Sequence, residues 1–322
     1  MRQLKIKSVT LPLLEQLCQS NVLTAIPDEK GYLPSYADGV FPEARKDISV
    51  GRKFYNMFNA GDEYEFIPHD QKPAKACAVH SSSMLAYNFF YWISPEHPLI
   101  YKGVTYNKVY FEVKMKVLEK NQKGYTINKS ANMDVVLVSN DCKTILCIES
   151  KFTKHLRNAS SFFVLPYRYE QSYYNDNPYI LEFLHLVAQY DHQGKGYYEG
   201  IQQNICHLIA LTNLKHDASA LDWFKHNNPY IEPEVLEQIN TNTTILFTNM
   251  LYYPKDEQLE ISNNPKYTHL LVEFELQLPE QIKSNILSEG IYQLYSDFLL
   301  SVKEQMPQGL PDYLSKRYLL NI

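Results

Sequence analysis

The chain has 322 residues, a formal net charge of −5 and five cysteines. Hydrophobic residues make up 45% and charged residues 21% of the sequence, which is typical of a folded globular protein with one or two cores. This composition excludes a disordered chain and a generally basic nucleic-acid coat, although a local positive patch is compatible with it. The odd number of cysteines, with no C-x-x-C pair, indicates neither a zinc knuckle nor a disulfide framework.

Two observations bear on the location of the protein. The longest apolar stretch, residues 84–93, falls well short of the roughly 20 residues that a bilayer-spanning helix needs. Glu15 lies where a secretory signal would carry its apolar run and cleavage site. We therefore expect no membrane span, a cytoplasmic location and reduced thiols.

The first 75 residues differ in pattern from the rest of the chain. They are rich in turn-forming residues and carry an acidic cluster at Asp62, Glu63 and Glu65. No pattern in them assigns a role. We treat residues 1–75 as an N-terminal elaboration of a main domain that covers residues 76–322.

A buried helix is predicted at the start of the main domain. Residues 81–83 are serines, which are suited to capping a helix N-terminus, and the segment 84–92 behind them is apolar nearly all round. A helix N-terminus can also bind phosphate. His80, Ser81 and Ser82 therefore have two interpretations, of which the helix cap is favoured over a phosphate clamp.

Three strands are predicted after this helix. Residues 109–117 alternate charged and apolar side chains with period two, which is the signature of a strand with one wetter face. Residues 133–139 and 144–150 are two further strands, and residues 140–143 between them form a plausible tight turn. Together the three strands predict a meander.

The rest of the chain is predicted to alternate helices and strands. We expect helices over residues 180–190 and 198–211, strands over 243–253 and 269–278, and a closing helix over 279–304 with Pro279 near its first turn.

A candidate catalytic motif ends the third predicted strand. An acid two residues before a lysine is common in this chain, but Glu149 and Lys151 directly follow an apolar strand, and pleating puts them on one face about 7 Å apart. Asp141-Cys142-Lys143 lies in the presumed turn. Glu112-Val113-Lys114 has no second acid facing it on a neighbouring predicted strand. We therefore select Glu149-Ser150-Lys151.

The predicted hairpin supplies this motif with a second carboxylate. If the chain turns between Asp141 and Cys142, Asp134 lies directly opposite Glu149, with the two Cβ atoms about 4.5–5.5 Å apart. Such carboxylates repel each other unless a cation with oxygen ligands lies between them, and Mg²⁺ fits that requirement. Lys151 would then orient a water, assist its deprotonation and stabilise the charge of a phosphorane-like transition state. The alternative is an acid pair with a surface lysine.

These residues resemble the PD-(D/E)XK nuclease superfamily of restriction-endonuclease-like phosphodiesterases. Residues 132–137 and 147–152 look like the Asp and Glu-x-Lys signature of that family, and the flanking helices are similar to those of a bacterial, largely uncharacterised subgroup. The resemblance implies an α/β restriction-endonuclease-like core, with a central mixed β-sheet flanked by helices. It also implies Mg²⁺ dependence, with Mn²⁺ as a substitute, cleavage to a 5′-phosphate, and Asp134, Glu149 and the Ser150 carbonyl as metal ligands.

The helix after the motif departs from the family pattern. Relatives of the RecB-like branch carry Gln-x-x-x-Tyr beside the metal site, and the corresponding residues here are Gln203 and His207. We include Gln203 among the catalytic residues and leave the role of His207 open. The two residues share one helix face, which could alternatively be a polar face with no role in the site. Some relatives have a metal-binding glutamate on the preceding helix, but residues 81–92 contain no acid. A third carboxylate ligand is left open.

Other residues near the motif have two interpretations each. Lys154, His155 and Arg157 could contact a DNA backbone or form a solvated basic loop. A tyrosine cluster could stack on unpaired bases or simply pack in the fold; it comprises Tyr167, Tyr169, Tyr173 and Tyr174.

The sequence therefore predicts a Mg²⁺-dependent DNA endonuclease, with restriction of foreign DNA as its expected setting. One alternative is a repair or recombination nuclease that acts on DNA ends or branched structures. Another is a DNA-binding module that keeps the fold without cutting, although such relatives usually lose an acid or the lysine. A double-strand cut needs either two sites, which a homodimer would supply, or two sequential events. No motif fixes the DNA sequence that is recognised.

Overall fold

The computed structural model describes residues 11–60, 65–120, 126–156, 162–163, 197–254 and 266–320. Its eight strands are β1 (Leu99–Tyr101), β2 (Val104–Lys120), β3 (Thr126–Ser139), β4 (Thr144–Lys151), β5 (Phe162–Phe163), β6 (Tyr197–Tyr198), β7 (Thr244–Leu251) and β8 (Leu287–Leu294).

Ten α-helices lie within the same described residues. They are α1 (Leu11–Cys18), α2 (Lys53–Ala60), α3 (Ser82–Phe90), α4 (Glu199–His216), α5 (Ala218–Asn227), α6 (Pro233–Gln238), α7 (Lys266–Gln277), α8 (Glu280–Ile286), α9 (Tyr295–Val302) and α10 (Leu310–Tyr318).

The centre of the fold is a mixed six-stranded sheet of order β1-β2-β3-β4-β7-β8. β1 to β4 pair antiparallel in sequence order, whereas β7 runs parallel to β4 and β8 runs parallel to β7. Parallel neighbours require a crossover, and helices α4 to α6 lie between β4 and β7 in the chain. The protein is therefore α/β, with helices flanking a mixed sheet.

The predicted meander is confirmed by β2, β3 and β4. Its central strands are buried along their length: residues 135–138 of β3 and 145–150 of β4 are all at most 3% exposed. A strand covered on both faces has a continuous apolar run rather than an alternating one, and both strands have such a run. The apolar segments that predicted these strands therefore form the middle of the core.

Helix α3 confirms the predicted buried helix. The Ser81 side chain accepts a hydrogen bond from the N–H of Met84 at 3.2 Å, which is the predicted cap. Asn88, fully buried on this helix, accepts from the N–H of Phe41 at 2.9 Å and donates to the Tyr318 hydroxyl at 2.7 Å. Helix α3 is thus bonded to segments from both ends of the described chain.

The N-terminal segment shares the hydrophobic core of the main domain. Leu13 and Leu17 of α1 and Phe58 of α2 are fully buried in the same cluster as the strands of the sheet. Phe58 stacks on Phe111 of β2 with ring centroids 4.9 Å apart.

Two predictions for the C-terminal third are wrong. Residues 269–277 are not a strand but part of helix α7, because the buried side chains Tyr267, Leu271 and Phe274 recur at helical spacing, and Leu278 follows the end of the helix. The predicted helix over 279–304 is interrupted by strand β8, which pairs with β7. Pro279 is the N-cap residue of α8, the first helix within this segment.

Two further results concern the other predictions. No helix within the described ranges is long and apolar enough to cross a bilayer. The predicted helix over 180–190, the tyrosine cluster and Arg157 lie outside the described residues.

Candidate active site

The β3–β4 hairpin has the predicted register. Four pairs define it, from Val135 opposite Ile148 to Val138 opposite Ile145. The N–H of Cys142 donates to the carbonyl of Ser139 at 2.9 Å, and Cys142 has a φ of 56°, which closes the turn where the sequence predicted it. Extended by one position, this register places Asp134 opposite Glu149 on one face of the sheet.

The two strands separate at the position of these carboxylates. The last ladder pair is Val135 with Ile148, and beyond it the N–H of Ser150 donates to Oδ2 of Asp134 at 2.6 Å instead of to a backbone carbonyl of β3. In a strand the N–H and C=O of one residue point to the same side. The Ser150 carbonyl therefore faces β3 and Asp134, as its assignment as a ligand requires.

Glu149 is almost completely buried, with 2% of the residue exposed. Its Oε1 atom accepts hydrogen bonds from Nζ of Lys151 and from Nε2 of Gln203, each at 2.6 Å. Its Oε2 atom is buried and has no hydrogen-bond partner in the described structure. An orphaned carboxylate oxygen of this kind is costly unless a cation or water binds it.

Gln203 lies where the sequence predicted it. It is on α4, and its Oε1 atom accepts a hydrogen bond from Nζ of Lys151 while its Nε2 atom donates to Glu149. Gln203 thus fixes both the lysine and the glutamate of the motif. Ser150, between them, has its side chain bonded to the buried Tyr295 hydroxyl at 2.7 Å, which ties the end of β4 to α9.

His207 lies one helical turn after Gln203 and faces the same site. Its Nε2 atom is 3.6 Å from Oε2 of Glu149, and only 2% of the residue is exposed. Burial lowers the pKa of this imidazole, although the charge of Glu149 acts in the opposite direction. His207 is therefore neutral at neutral pH.

The charges of the site are unbalanced without a cation. Burial and the charge of Glu149 raise the pKa of Asp134 well above its usual range, although Lys151 and the Ser150 N–H act against this. Burial is the largest single influence on the pKa of Lys151 and lowers it, but the charges of Glu149, Tyr267 and Asp134 and the hydrogen bond to Glu149 together outweigh it, so this pKa lies above its usual value. Lys151 is thus a persistent ammonium, and Asp134 is a carboxyl that resists ionisation.

Two further acids line the site. For Glu112 the sequence left open whether it orients a lysine near the site or only pairs with a strand neighbour, and favoured the pairing; Glu65 was noted only as part of an acidic cluster. Glu65, from the unassigned N-terminal segment, is 7% exposed and its charge contributes to the raised pKa of Asp134. Glu112 lies across β3 from the motif: the pairs Phe111–Val135 and Val113–Met133 flank it and place it opposite Asp134.

The reason for rejecting Glu112-Val113-Lys114 is therefore wrong, since an acid does face Glu112 from the neighbouring strand. Glu112 also has a φ of 52°, in the left-handed region that costs a non-glycine residue about 1–2 kcal/mol. A β2–β3 register predicted from the sequence would have found this residue. Glu65 has no comparable signal, because nothing in the sequence indicates which strand its segment approaches.

These residues line one open cleft of about 540 Å³. The carboxyl groups of Glu65, Glu112, Asp134 and Glu149 and the ammonium of Lys151 face it. The start of α3 contributes His80, Ser82 and Ser83, and α4 contributes Gln203, Cys206 and His207. The net negative charge of these side chains opposes the entry of a polyanion unless cations neutralise it.

A divalent cation fits this donor set. Among the described residues, no three His, Cys, Asp or Glu side chains are already gathered around one point. Mg²⁺ commonly binds through only one or two carboxylates together with waters and substrate phosphates. Asp134, the Ser150 carbonyl and the orphaned Oε2 of Glu149 offer oxygen ligands of that kind.

His155 does not belong to a solvated basic loop. It is 7% exposed and packs against the rings of Tyr253 and Tyr267, with centroids 5.1 and 5.6 Å away. Burial, and then the charge of Lys151, lower the pKa of His155 to about 3. A neutral, buried ring is a poor partner for a DNA phosphate. Contact with the DNA backbone, the other interpretation of His155, is therefore wrong as well.

This burial predicts a pH-dependent stability. The folded-state pKa of His155 lies below its unfolded value of about 6.5, so its contribution is complete above that pH and is lost as the pH falls toward 3. Between pH 6 and 4.5, urea denaturation should show wild type losing about 1–2 kcal/mol more than His155→Phe. The exposed His97→Phe should follow wild type. Parallel curves for wild type and His155→Phe would contradict this assignment.

No protein-family model matches this chain, and no curated protein or solved structure matches it either. The likeness to PD-(D/E)XK nucleases thus rests on a short motif and on the geometry of the residues that carry it.

Proposed function

We propose that the protein is a metal-dependent endonuclease of the PD-(D/E)XK type that hydrolyses phosphodiester bonds in DNA. The observation that carries this proposal is the open end of the β3–β4 hairpin. There Asp134 and Glu149 oppose each other on one face, and Lys151 projects from the same face with its ammonium held 2.6 Å from Glu149. Two acids and a lysine in this arrangement suit phosphodiester hydrolysis better than they suit stability.

Mg²⁺, or Mn²⁺ in its place, is the proposed cofactor. Asp134, Glu149 and the carbonyl of Ser150 would hold it, and the orphaned Oε2 of Glu149 supports the fit. When bound, the cation would lower the pKa of a water and polarise the phosphoryl oxygen.

The side chains around this position have separate roles in the proposal. Lys151 stabilises the negative charge that develops on the phosphoryl group, and its raised pKa favours this electrostatic role over that of a general base. Gln203 is a positioning residue, because its amide binds both Lys151 and Glu149 and so fixes the distance between them. Asp134 accepts a hydrogen bond from the N–H of Ser150, and this bond directs the carbonyl of Ser150 into the cleft.

A restriction-endonuclease-like core is part of the proposal. The order α3, then the β2–β3–β4 meander, then α4, with β7 parallel to β4, supports it. The nuclease domain would cover residues 76–322, with residues 1–75 as its N-terminal elaboration. Restriction of foreign DNA in the cytoplasm is the proposed setting, and a homodimer would supply the second site for a double-strand cut. The acidic cleft argues against a DNA-binding module that works without a cation.

Supercoiled plasmid and linear DNA test the proposal. With Mg²⁺ or Mn²⁺, wild type should nick or linearise the plasmid, and EDTA should abolish cutting. Glu149→Gln keeps the shape of the side chain but removes a charge, and should be inactive, whereas the exposed Glu237→Gln should cut like wild type.

Two other outcomes would each point elsewhere. Cutting of linear DNA alone would favour the repair or recombination alternative. If wild type binds both DNAs without cutting either, the enzymatic proposal fails.

A further inference from the structure

His207 of α4 faces Glu149 without a hydrogen bond to it. Its Nε2 atom is 3.6 Å from Oε2 of Glu149, which is too long for a hydrogen bond. Its Nδ1 atom is buried and has no partner in the described structure. The Nε2 atom of His207 and the buried Oε2 atom of Glu149, each capable of binding a metal ion, thus face each other without a hydrogen bond between them.

We infer that His207 supplies a nitrogen ligand to the cation at Glu149, so that the site takes a first-row transition-metal ion such as Mn²⁺ in preference to Mg²⁺. The inference rests on the proposed cation site but not on the reaction that occurs there.

The separation of the two atoms fits a shared ion. A cation with bonds of about 2.2 Å to one oxygen and one nitrogen places them about 3.1 Å apart at an octahedral angle and about 3.6 Å apart at a tetrahedral one. The observed 3.6 Å lies at the upper end of this range. Binding would therefore require side-chain shifts of roughly half an ångström at most, and it would break no hydrogen bond of His207.

The other atoms of the site leave this position open. Lys151 and Gln203 both donate hydrogen bonds to Oε1 of Glu149, so Oε2 is the oxygen of this carboxylate that accepts none. Gln203 and His207 are four residues apart on α4, which places them side by side on one helix face. Helix α4 therefore holds Glu149 and Lys151 in place through Gln203 and places His207 beside the proposed metal position.

An imidazole in this place changes which ion is favoured. Mg²⁺ binds oxygen ligands and surrenders its waters reluctantly, whereas transition ions gain affinity from a nitrogen donor. An all-oxygen site would take both ions, but a site with one imidazole discriminates between them.

Mn²⁺ bound to the protein tests the inference directly through pulsed EPR. Wild type should show modulation from one directly bound ¹⁴N nucleus, and His207→Gln should lose it. Isothermal titration should show that His207→Gln lowers the affinity for Mn²⁺ by about tenfold or more, with little change for Mg²⁺. His207→Phe, which offers no donor atom, provides a second variant if the first folds poorly by circular dichroism.

His216→Gln is the matched control. His216 is the last residue of the same helix, exposed and about 13 Å along the axis from His207. It should retain both the modulation and the affinity of wild type. Bound Mn²⁺ without ¹⁴N modulation in wild type, modulation that persists in His207→Gln, or no binding of Mn²⁺ at all would each overturn the inference.

The outcomes separate this inference from the nuclease proposal. Nitrogen-bound Mn²⁺ in a protein that cuts no DNA would support the ligand and refute the nuclease. DNA cutting with Mn²⁺ bound only through oxygen would support the nuclease and refute His207 as a ligand.

Discussion

Replacing Lys151 with methionine is expected to slow DNA cleavage by about a hundred- to a thousandfold, because it removes the ammonium that stabilises charge on the phosphoryl group. The same change should destabilise the metal-free protein. The Lys151 side chain is 11% exposed and that of Glu149 is 3% exposed, so the variant leaves a buried carboxylate without its cation. Breaking a buried pair in this way costs about 3–5 kcal/mol.

Single-turnover cleavage and urea denaturation, each with and without Mn²⁺, measure the two effects. Bound Mn²⁺ should restore much of the lost stability, because it supplies a new charge partner for Glu149, but it should not restore cleavage. Lys143→Met is the matched control, since Lys143 directly precedes β4 and its side chain is 82% exposed. A Lys151→Met protein that cuts DNA at the wild-type rate would remove the lysine from the mechanism.

Asp134→Asn is expected to abolish cleavage and yet raise the stability of the metal-free protein. Asparagine still accepts the Ser150 N–H through its side-chain oxygen, but it carries no charge to oppose Glu149. We expect a gain of about 0.5–2 kcal/mol in the free energy of unfolding at pH 7.5 in EDTA. Saturating Mn²⁺ should stabilise wild type by about 2–3 kcal/mol and this variant much less.

The pH dependence gives this prediction a definite sign. The folded-state pKa of Asp134 is raised above its unfolded value, so wild type keeps the contribution of this group at low pH and loses it as the pH rises through the folded pKa. The difference between variant and wild type should therefore be small near pH 4 and grow toward neutral pH.

Asp141→Asn serves as a control, because the pKa of Asp141 is shifted in the opposite direction to that of Asp134. Hydrogen bonds from Ser139 and from the Lys143 N–H lower the pKa of Asp141, so its contribution is present at neutral pH and lost in acid. If Asp134→Asn proves less stable than wild type in EDTA at pH 7.5, the carboxylate has a structural role, and the argument from charge repulsion fails.

The central hairpin could be predicted because its signals are local. A turn at residues 140–143 between two apolar strands fixes the register, and the register alone places Asp134 opposite Glu149. The position of Gln203 followed from helical spacing and from the resemblance. Both depend on residues that are close in sequence or that lie on one regular element.

The other parts of the site depend on contacts that no local pattern specifies. β2 pairs with β3 through a register that shifts at three points, so the position of Glu112 opposite Asp134 could not be counted from the sequence. Glu65 reaches the cleft by packing of a segment without regular structure. Helix α7 was misjudged because its charged and apolar residues alternate over a short stretch, and only its buried side chains show the helical period.

The hydrogen bonds of Asn88 join helix α3 to a part of the chain that is far away in sequence. Tyr318 accepts from Asn88 and donates to the carbonyl of Met84 at 3.2 Å, so helix α3 is secured by a residue made more than 200 positions later. The first turn of that helix lines the cleft. A chain that already carries Asp134, Glu149 and Lys151 therefore lacks these two hydrogen bonds to helix α3 until α10 has been synthesised.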